Sequence, residues 1–274
     1  MGAGPEHLLD NGLAEALRSG GKRPDFNIVH PESEPNVEVA TAFELDALVS
    51  EEVRGAILRG QFPLLLSGNC NTAVGAIAGA GADSEPQDLG VVWFDGHADF
   101  NTPETTTNGF SDNQGLAITT RRCWQAMSSG VPGFRAVADE HVVLIGAAEI
   151  EPAEEARLEA SAIRLVRADT NVRNEVRNEE SSELATALDG LRSEVGRVYV
   201  HLDLDVLAPA QVGRANEFAP AGGLSADGLC SALGMVRERF VVAGAGVASY
   251  DPDLDPDGQV SSAAIACVKE IILA

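Results

Sequence analysis

Short apolar runs recur along this 274-residue chain, each followed by a segment of helical character, and that alternation constrains the fold more than any other feature. FPLLLSG (62–68) precedes an Ala/Gly-rich helix from about Thr72 to Gly81. GVVWF (90–94) leads into a polar motif, and HVVLIGA (141–147) into EPAEEARLEAS (151–161). A short IRLVR strand (163–167), a helix around Leu184–Glu194, RVYVHLDLDVL (197–207), a helix in SADGLCSALGMVRER (225–239), VVAGAGVASYDP (241–252) and a closing helix in SSAAIACVKEIILA complete the series. Strands that are apolar throughout, separated by helices, indicate an α/β fold with a mainly parallel sheet covered on both faces. The length suits one large domain, residues 1–274. In open parallel sheets ligands bind beyond the carboxyl ends of the strands, and every polar cluster of interest follows that rule.

Charge narrows the function. With 19 Lys and Arg against 42 Asp and Glu, the net charge of −23 argues against a nucleic-acid partner, which calls for a basic face. Much of the acidity falls in 149–189 and in the first fifty residues, where it reads as solvated helix faces and loops. No apolar stretch approaches the ~20 residues of a membrane helix, and the N-terminus lacks a basic region followed by an apolar core. A cytoplasmic protein without membrane contact is expected. Cys70, Cys123, Cys230 and Cys267 are spread without paired spacing, which fits reduced thiols.

The chemistry sits in two strand ends. In VVWFDGHADFN (91–101), Asp95, His97 and Asp99 take alternate positions after an apolar run, and in a strand such positions share a side. In HLDLDVLAP (201–209), Asp203 and Asp205 repeat the spacing after RVYV. Four converging carboxylates repel one another and draw up protons unless positive charge is present. Oxygen-rich sites with some imidazole suit Mn²⁺, and bridging carboxylates hold two ions ~3.5–4 Å apart in two-metal hydrolases. His201 directly precedes the second pair and is expected to point away from Asp203, outside the ligand set.

FDGHADFNTPETTTNG (94–109) and HLDLDVLAP (201–209), with GPEHLLDNGLAEAL (4–17) and SGNCNTAVGAIAG (67–79), resemble in order the ureohydrolases: arginases, agmatinases, formimidoylglutamases and relatives. The resemblance implies the three-layer α/β/α ureohydrolase (arginase-like) fold, assembled as a homo-oligomer, trimer or hexamer. It implies that Asp95 and Asp203 bridge two Mn²⁺ ions, with Asp99 on the first and His97 and Asp205 on the second. A metal-bridging hydroxide would then attack a guanidino or formimino carbon, releasing urea or formamide and an amine, with Asp99 joining the proton transfers. Asn101 and Asn108 match polar positions that hold the substrate's amino-acid end, and Glu151 an acid near its α-amino group. Glu151 reads equally as an acid favoured by a helix N-terminus. The GPEHLL element in such proteins follows a first strand, so either the start lies upstream or the sheet lacks an edge strand.

Three departures bear on substrate and metal. Cys70 stands where relatives carry a His that ligates the first ion. A thiolate binds Mn²⁺ but prefers softer metals, and a buried non-ligand Cys or a nucleophile are the other readings. Asp112, in GFSDNQGLA, stands where arginases carry a proton-shuttling His. Ser249 replaces a Glu that pairs with the guanidinium, which argues against ordinary L-arginine and suits a less basic group, such as an N-hydroxyguanidino or formimino group, unless Asp251 substitutes. Asp251, Asp253 and Asp255 also read as turn residues beside proline. The expectation is a hydrolase of a linear guanidino or amidino compound. A formimidoylglutamate-type hydrolase and a non-catalytic metal-binding relative are the alternatives.

Overall fold

The computed structural model describes residues 1–31, 37–83, 85, 88–107, 109–168 and 183–273. Its strands are β1 (Leu64–Leu66), β2 (Leu89–Phe94), β3 (Val142–Ile145), β4 (Arg164–Val166), β5 (Arg197–Asp203) and β6 (Val241–Ala248). They form one six-stranded sheet in the order β1-β6-β5-β2-β3-β4, every pair parallel. The principal helices are α1 (Glu38–Leu58), α2 (Ala73–Gly81), α3 (Pro152–Glu159), α4 (Glu183–Arg192), α5 (Ala226–Arg239) and α6 (Gln259–Ile272).

Side chains alternate between two cores. Val92, Phe94, Val200 and Leu202 face α4, α5 and α6, while Val91, Trp93, Leu144 and Tyr199 face α1 and α2. The expected three layers are therefore present, and β2 and β5 are buried almost throughout, as strands covered on both faces must be. The chain leaves β2 toward β3 and leaves β5 toward β6, in opposite directions across the sheet. The carboxyl ends of β2 and β5 thus flank a crevice at the topological switch point, where α/β sheets bind ligands.

The sequence reading did not isolate α1. Its inward stripe carries Asp46 and Ser50 among Phe43, Val49 and Val53, and these polar residues interrupt the apolar period. Asp46 serves the contact with α2, its Oδ1 accepting the Gly75 N–H at 3.2 Å, and Ser50 donates to the Pro132 carbonyl at 2.6 Å in a separate loop. Gly75 and Gly79 let the helices close, because a Cβ on either would lie 2.3–2.4 Å from a carbonyl oxygen of α1. Among the described residues the first strand is β1, at a sheet edge. Residues 169–182, part of the acidic region read as solvated, lie outside those described. Cys230 and Cys267, distant in sequence, meet across α5 and α6 with sulfurs 3.8 Å apart.

No helix among the described residues is long and apolar enough to cross a membrane.

Candidate metal centre

The two aspartate motifs do not stay extended, and their convergence has a different cause from strand alternation alone. β2 stops at Phe94, where Asp95 Oδ1 accepts the His97 N–H at 2.7 Å. β5 stops at Asp203, where Asp203 Oδ1 accepts the Asp205 N–H at 2.8 Å and opens a short 3₁₀ turn over Leu204–Val206. An aspartate that bonds the backbone two residues on makes a turn of its own. Both turns fold the following ligand candidate back into the crevice.

The two halves are tied to each other. His97 Nδ1 lies 3.2 Å from Asp205 Oδ2 and 3.6 Å from Asp95 Oδ1. Asp205 Oδ1 accepts the Gly96 N–H at 3.0 Å, and Asp95 Oδ2 accepts the Trp93 indole N–H at 2.9 Å. Cys70 opens the turn before α2, and its thiol donates to Asp203 Oδ2 at 2.8 Å, with Ser249 Oγ 3.3 Å away. Asp99, in left-handed backbone at φ 49°, buries its Oδ2 without a partner.

Electrostatics explain what such a cluster requires. Burial first, then the neighbouring acids, pushes Asp99 and Asp203 well above the usual carboxylate range. Burial raises Asp95 as well. For Asp205 burial is outweighed by hydrogen bonds from His97, Gly96 and Asn216, and its pKa is lowered. His97 carries the local positive charge: burial opposes protonation, but Asp205 and Asp95 hold its pKa up to about 12. One imidazolium cannot neutralise four buried carboxylates, so the donor set fits divalent cations. Among the described residues, two groups of donor atoms lie close enough to hold an ion: Asp95, His97 and Asp205, and Cys70, Asp95 and His201.

His201 is a correction to the sequence reading. Positions 201 and 203 share parity on β5, so the imidazole faces the same side as Asp203, is buried, and falls beside Cys70 and Asp95. Burial draws its pKa down to about 3, leaving a neutral ring. The nucleophile reading of Cys70 is opposed by its surroundings. Burial, then Asp203, Asp99, Asp112 and Asp95, raise the thiol pKa far above its ordinary value.

Cys70, His97, Asp99, Asn101, Asp112, Glu151, Asp203, Asp205 and Ser249 all line one cavity of about 240 Å³. Asp95 lies fully buried behind it, and Asn108 lies outside the described residues. Asp112 has both oxygens engaged: Oδ2 accepts from Asn69 Nδ2 at 3.0 Å and Oδ1 from the Asn71 N–H at 3.0 Å. It thereby holds both residues flanking Cys70. Glu151 N-caps α3 in a capping box with Glu154 and also accepts from Asn101 Nδ2 at 3.4 Å. Ser249 sits at φ 62° with its carbonyl bonded by Asn216. Asp251 caps the turn at Pro252–Leu254 and Asp255 caps α6 through the Val260 and Ser261 N–H groups, so these acids serve turns.

The sequence reading missed Glu149, Glu154, Asn216 and the aromatic pair Phe110 and Phe218, all on the cavity wall. The two rings lie 5.0 Å apart at its mouth. Of these, Glu154 carries a local spacing signal, as the third residue of α3 in a capping box with Glu151, whereas Glu149, Asn216 and the two rings come from loops without one.

A family model described as "Arginase family" matches residues 4–274. An arginase of Bacillus caldovelox is 30% identical over 232 residues, spanning 83% of this chain and 73% of that protein. The crystal structure of arginase from Bacillus cereus superposes with a TM-score of 0.87 at 23% identity, covering 98% of this chain and 91% of that one. Entamoeba histolytica arginase in complex with L-ornithine gives 0.77 at 19% identity, covering 98% and 91%. Formimidoylglutamase from Bacillus subtilis gives 0.70 at 15%, covering 95% and 79%. With the fold, the paired aspartate turns and the near full-length family match in agreement, the chain belongs to the arginase family of metal-dependent hydrolases.

Proposed function

We propose that this protein hydrolyses a C–N bond of a small linear guanidino compound whose other end carries an ammonium group, giving a urea and an amine. The observation that carries this reading is the cavity wall: Asp112, Glu149, Glu151 and Glu154 surround the route to the metal centre, and no Lys or Arg lines it among the described residues. A cationic substrate finds complementary charge there, whereas a dicarboxylate finds repulsion. Asp95, His97, Asp205, Asp99, Asp203 and Cys70 are the residues that would hold two divalent ions, with Mn²⁺ the expected metal on the oxygen-rich side.

When bound, such ions supply the Lewis acidity that makes water a nucleophile at neutral pH. The chain does the rest. Glu151 and Asn101 orient the amino end of the substrate. Asp99, buried with a free Oδ2, accepts the proton that leaves the attacking water and returns it to the departing nitrogen. Water adds to the guanidino carbon, the bond from that carbon to the amine nitrogen breaks, and urea is left.

Ser249 shapes specificity. A carboxylate would pair bidentately with a guanidinium, while a hydroxyl suits a less basic guanidine such as an N-hydroxyguanidine. The same residue is the point in favour of a formimino substrate, but the acidic wall opposes a glutamate tail. Mn²⁺-loaded protein offered L-arginine, N-hydroxy-L-arginine, agmatine and formimino-L-glutamate separates these readings. A urea from a guanidino compound is expected: hydroxyurea, released fastest, from the N-hydroxy form, and urea from the others. Formamide from formimino-L-glutamate with no urea from the others would overturn it.

A further inference from the structure

We propose that His201 and Cys70, together with Asp95, bind one cation in a mixed nitrogen, sulfur and oxygen site that selects a borderline-soft metal, Zn²⁺ in the first instance. The proposal rests on the two-ion reading above and changes what one half of that centre is.

Three observations carry it. One donor atom from each of Cys70, Asp95 and His201 lies within 4.8 Å of the others, and all three residues are buried. Two donors bonded to one tetrahedral ion at ~2.0–2.3 Å stand about 3.3–3.8 Å apart, so side-chain adjustments of about an ångström bring them onto a single cation. Secondly, both imidazole nitrogens of His201 are buried and without a hydrogen-bond partner. A neutral imidazole has one N–H to give and one lone pair to fill, and leaving both unmet in a core is costly. An ion meets the lone pair.

Thirdly, the ring is held in place by its neighbours. His201 lies on one rung of the sheet between Trp93 on β2 and Gly246 on β6. Its ring lies against the Trp93 indole at 3.9 Å between centroids, and that indole is itself fixed by its bond to Asp95. Gly246 keeps the other side open, since a Cβ there would meet the Tyr199 hydroxyl at 2.5 Å and lie 3.8 Å from His201 Nδ1. The chain has a thiol where the ureohydrolase pattern has an imidazole, and an imidazole from β5, two strands from β1, brings a nitrogen within 4.8 Å of that thiol. The other donor group, Asp95, His97 and Asp205, contains no sulfur. The two halves of the centre therefore differ in softness, and thiolate with imidazole favours Zn²⁺ over Mn²⁺.

Co²⁺ is the probe, because a cobalt–thiolate bond absorbs in the near ultraviolet and Co²⁺ shifts the ring protons of its histidine ligands. The full chain, stripped and reloaded with Co²⁺, is expected to show a thiolate charge-transfer band that is lost in Cys70→Ser. It is also expected to give two strongly shifted exchangeable imidazole N–H resonances, one of which disappears in His201→Gln. That variant should hold one cobalt per chain where the native chain holds two. The native spectra keep the test valid even if His201→Gln folds poorly. Two bound ions with no thiolate band, or with a single shifted imidazole, would overturn this inference and leave the two-ion hydrolase reading intact. No binding of Co²⁺, Zn²⁺ or Mn²⁺ would overturn both.

Discussion

The thiol of Cys70 donates a hydrogen bond to Asp203 Oδ2 across 2.8 Å, although the two residues are 133 positions apart. The contact joins the turn before α2 to the end of β5. It makes Cys70 part of the same cluster as the two aspartate turns, so that Asp203 faces both Cys70 and, through its backbone turn, Asp205.

Asp203→Ala removes the carboxylate common to these contacts. We expect bound metal to fall from two ions per chain to one or none by plasma mass spectrometry, and turnover to fall by more than the ~10–100-fold that loss of an outer-shell partner costs. Unchanged metal content would refute the assignment of Asp203.

Asp112→Asn tests a positioning role. Both Asp112 oxygens accept N–H groups beside Cys70, and an amide can offer only one oxygen. Affinity for one of the two ions should drop ~10–100-fold in a titration, while the other is unaffected. If affinity holds and only the pH profile of turnover moves, Asp112 acts on protons instead.

Gly75→Ala places a methyl 2.3 Å from the Asp46 carbonyl oxygen, a backbone atom that cannot step aside. Separating α1 from α2 should lower stability by ~1–3 kcal/mol in denaturant unfolding. Gly21→Ala supplies a control, since its Cβ would meet nothing within 4 Å but its φ is +80°, so any loss there is conformational.

Asp46 gives a pH signature away from the metal centre. Burial, only partly offset by the Gly75 N–H, holds its pKa well above the ordinary aspartate value. The folded state thus binds the proton more tightly than the unfolded chain, whose aspartates titrate near pH ~3.9. Below that value this residue costs the fold nothing. Stability then falls as pH rises from the unfolded value through the raised folded one. Asp46→Asn keeps an acceptor for Gly75 and should remove that slope, leaving the variant more stable at neutral pH by about 1 kcal/mol. Equal pH slopes for the two chains in unfolding midpoints would disprove this.

The sequence by itself determined the layered parallel architecture and the carboxylates at the ends of β2 and β5, because apolar runs and residue parity are local properties of the chain. It also marked Cys70, Asp112 and Ser249 as departures from a recognisable pattern. It could not bring out α1, whose inward stripe is interrupted by Asp46, which bonds the Gly75 N–H of α2, and by Ser50, which bonds the Pro132 carbonyl of a loop. Nor did it bring out the acidic and aromatic wall of Glu149, Glu154, Phe110 and Phe218, drawn from α3 and separate loops. His201 was legible and was misread: the spacing of two that aligns it with Asp203 was in the sequence, but its meaning depends on what stands opposite. Only the packed sheet, with Trp93 on one side, Gly246 on the other and Cys70 close by, leaves that imidazole buried with both nitrogens unmatched, because hydrogen-bond satisfaction in a core is decided by neighbours distant in sequence.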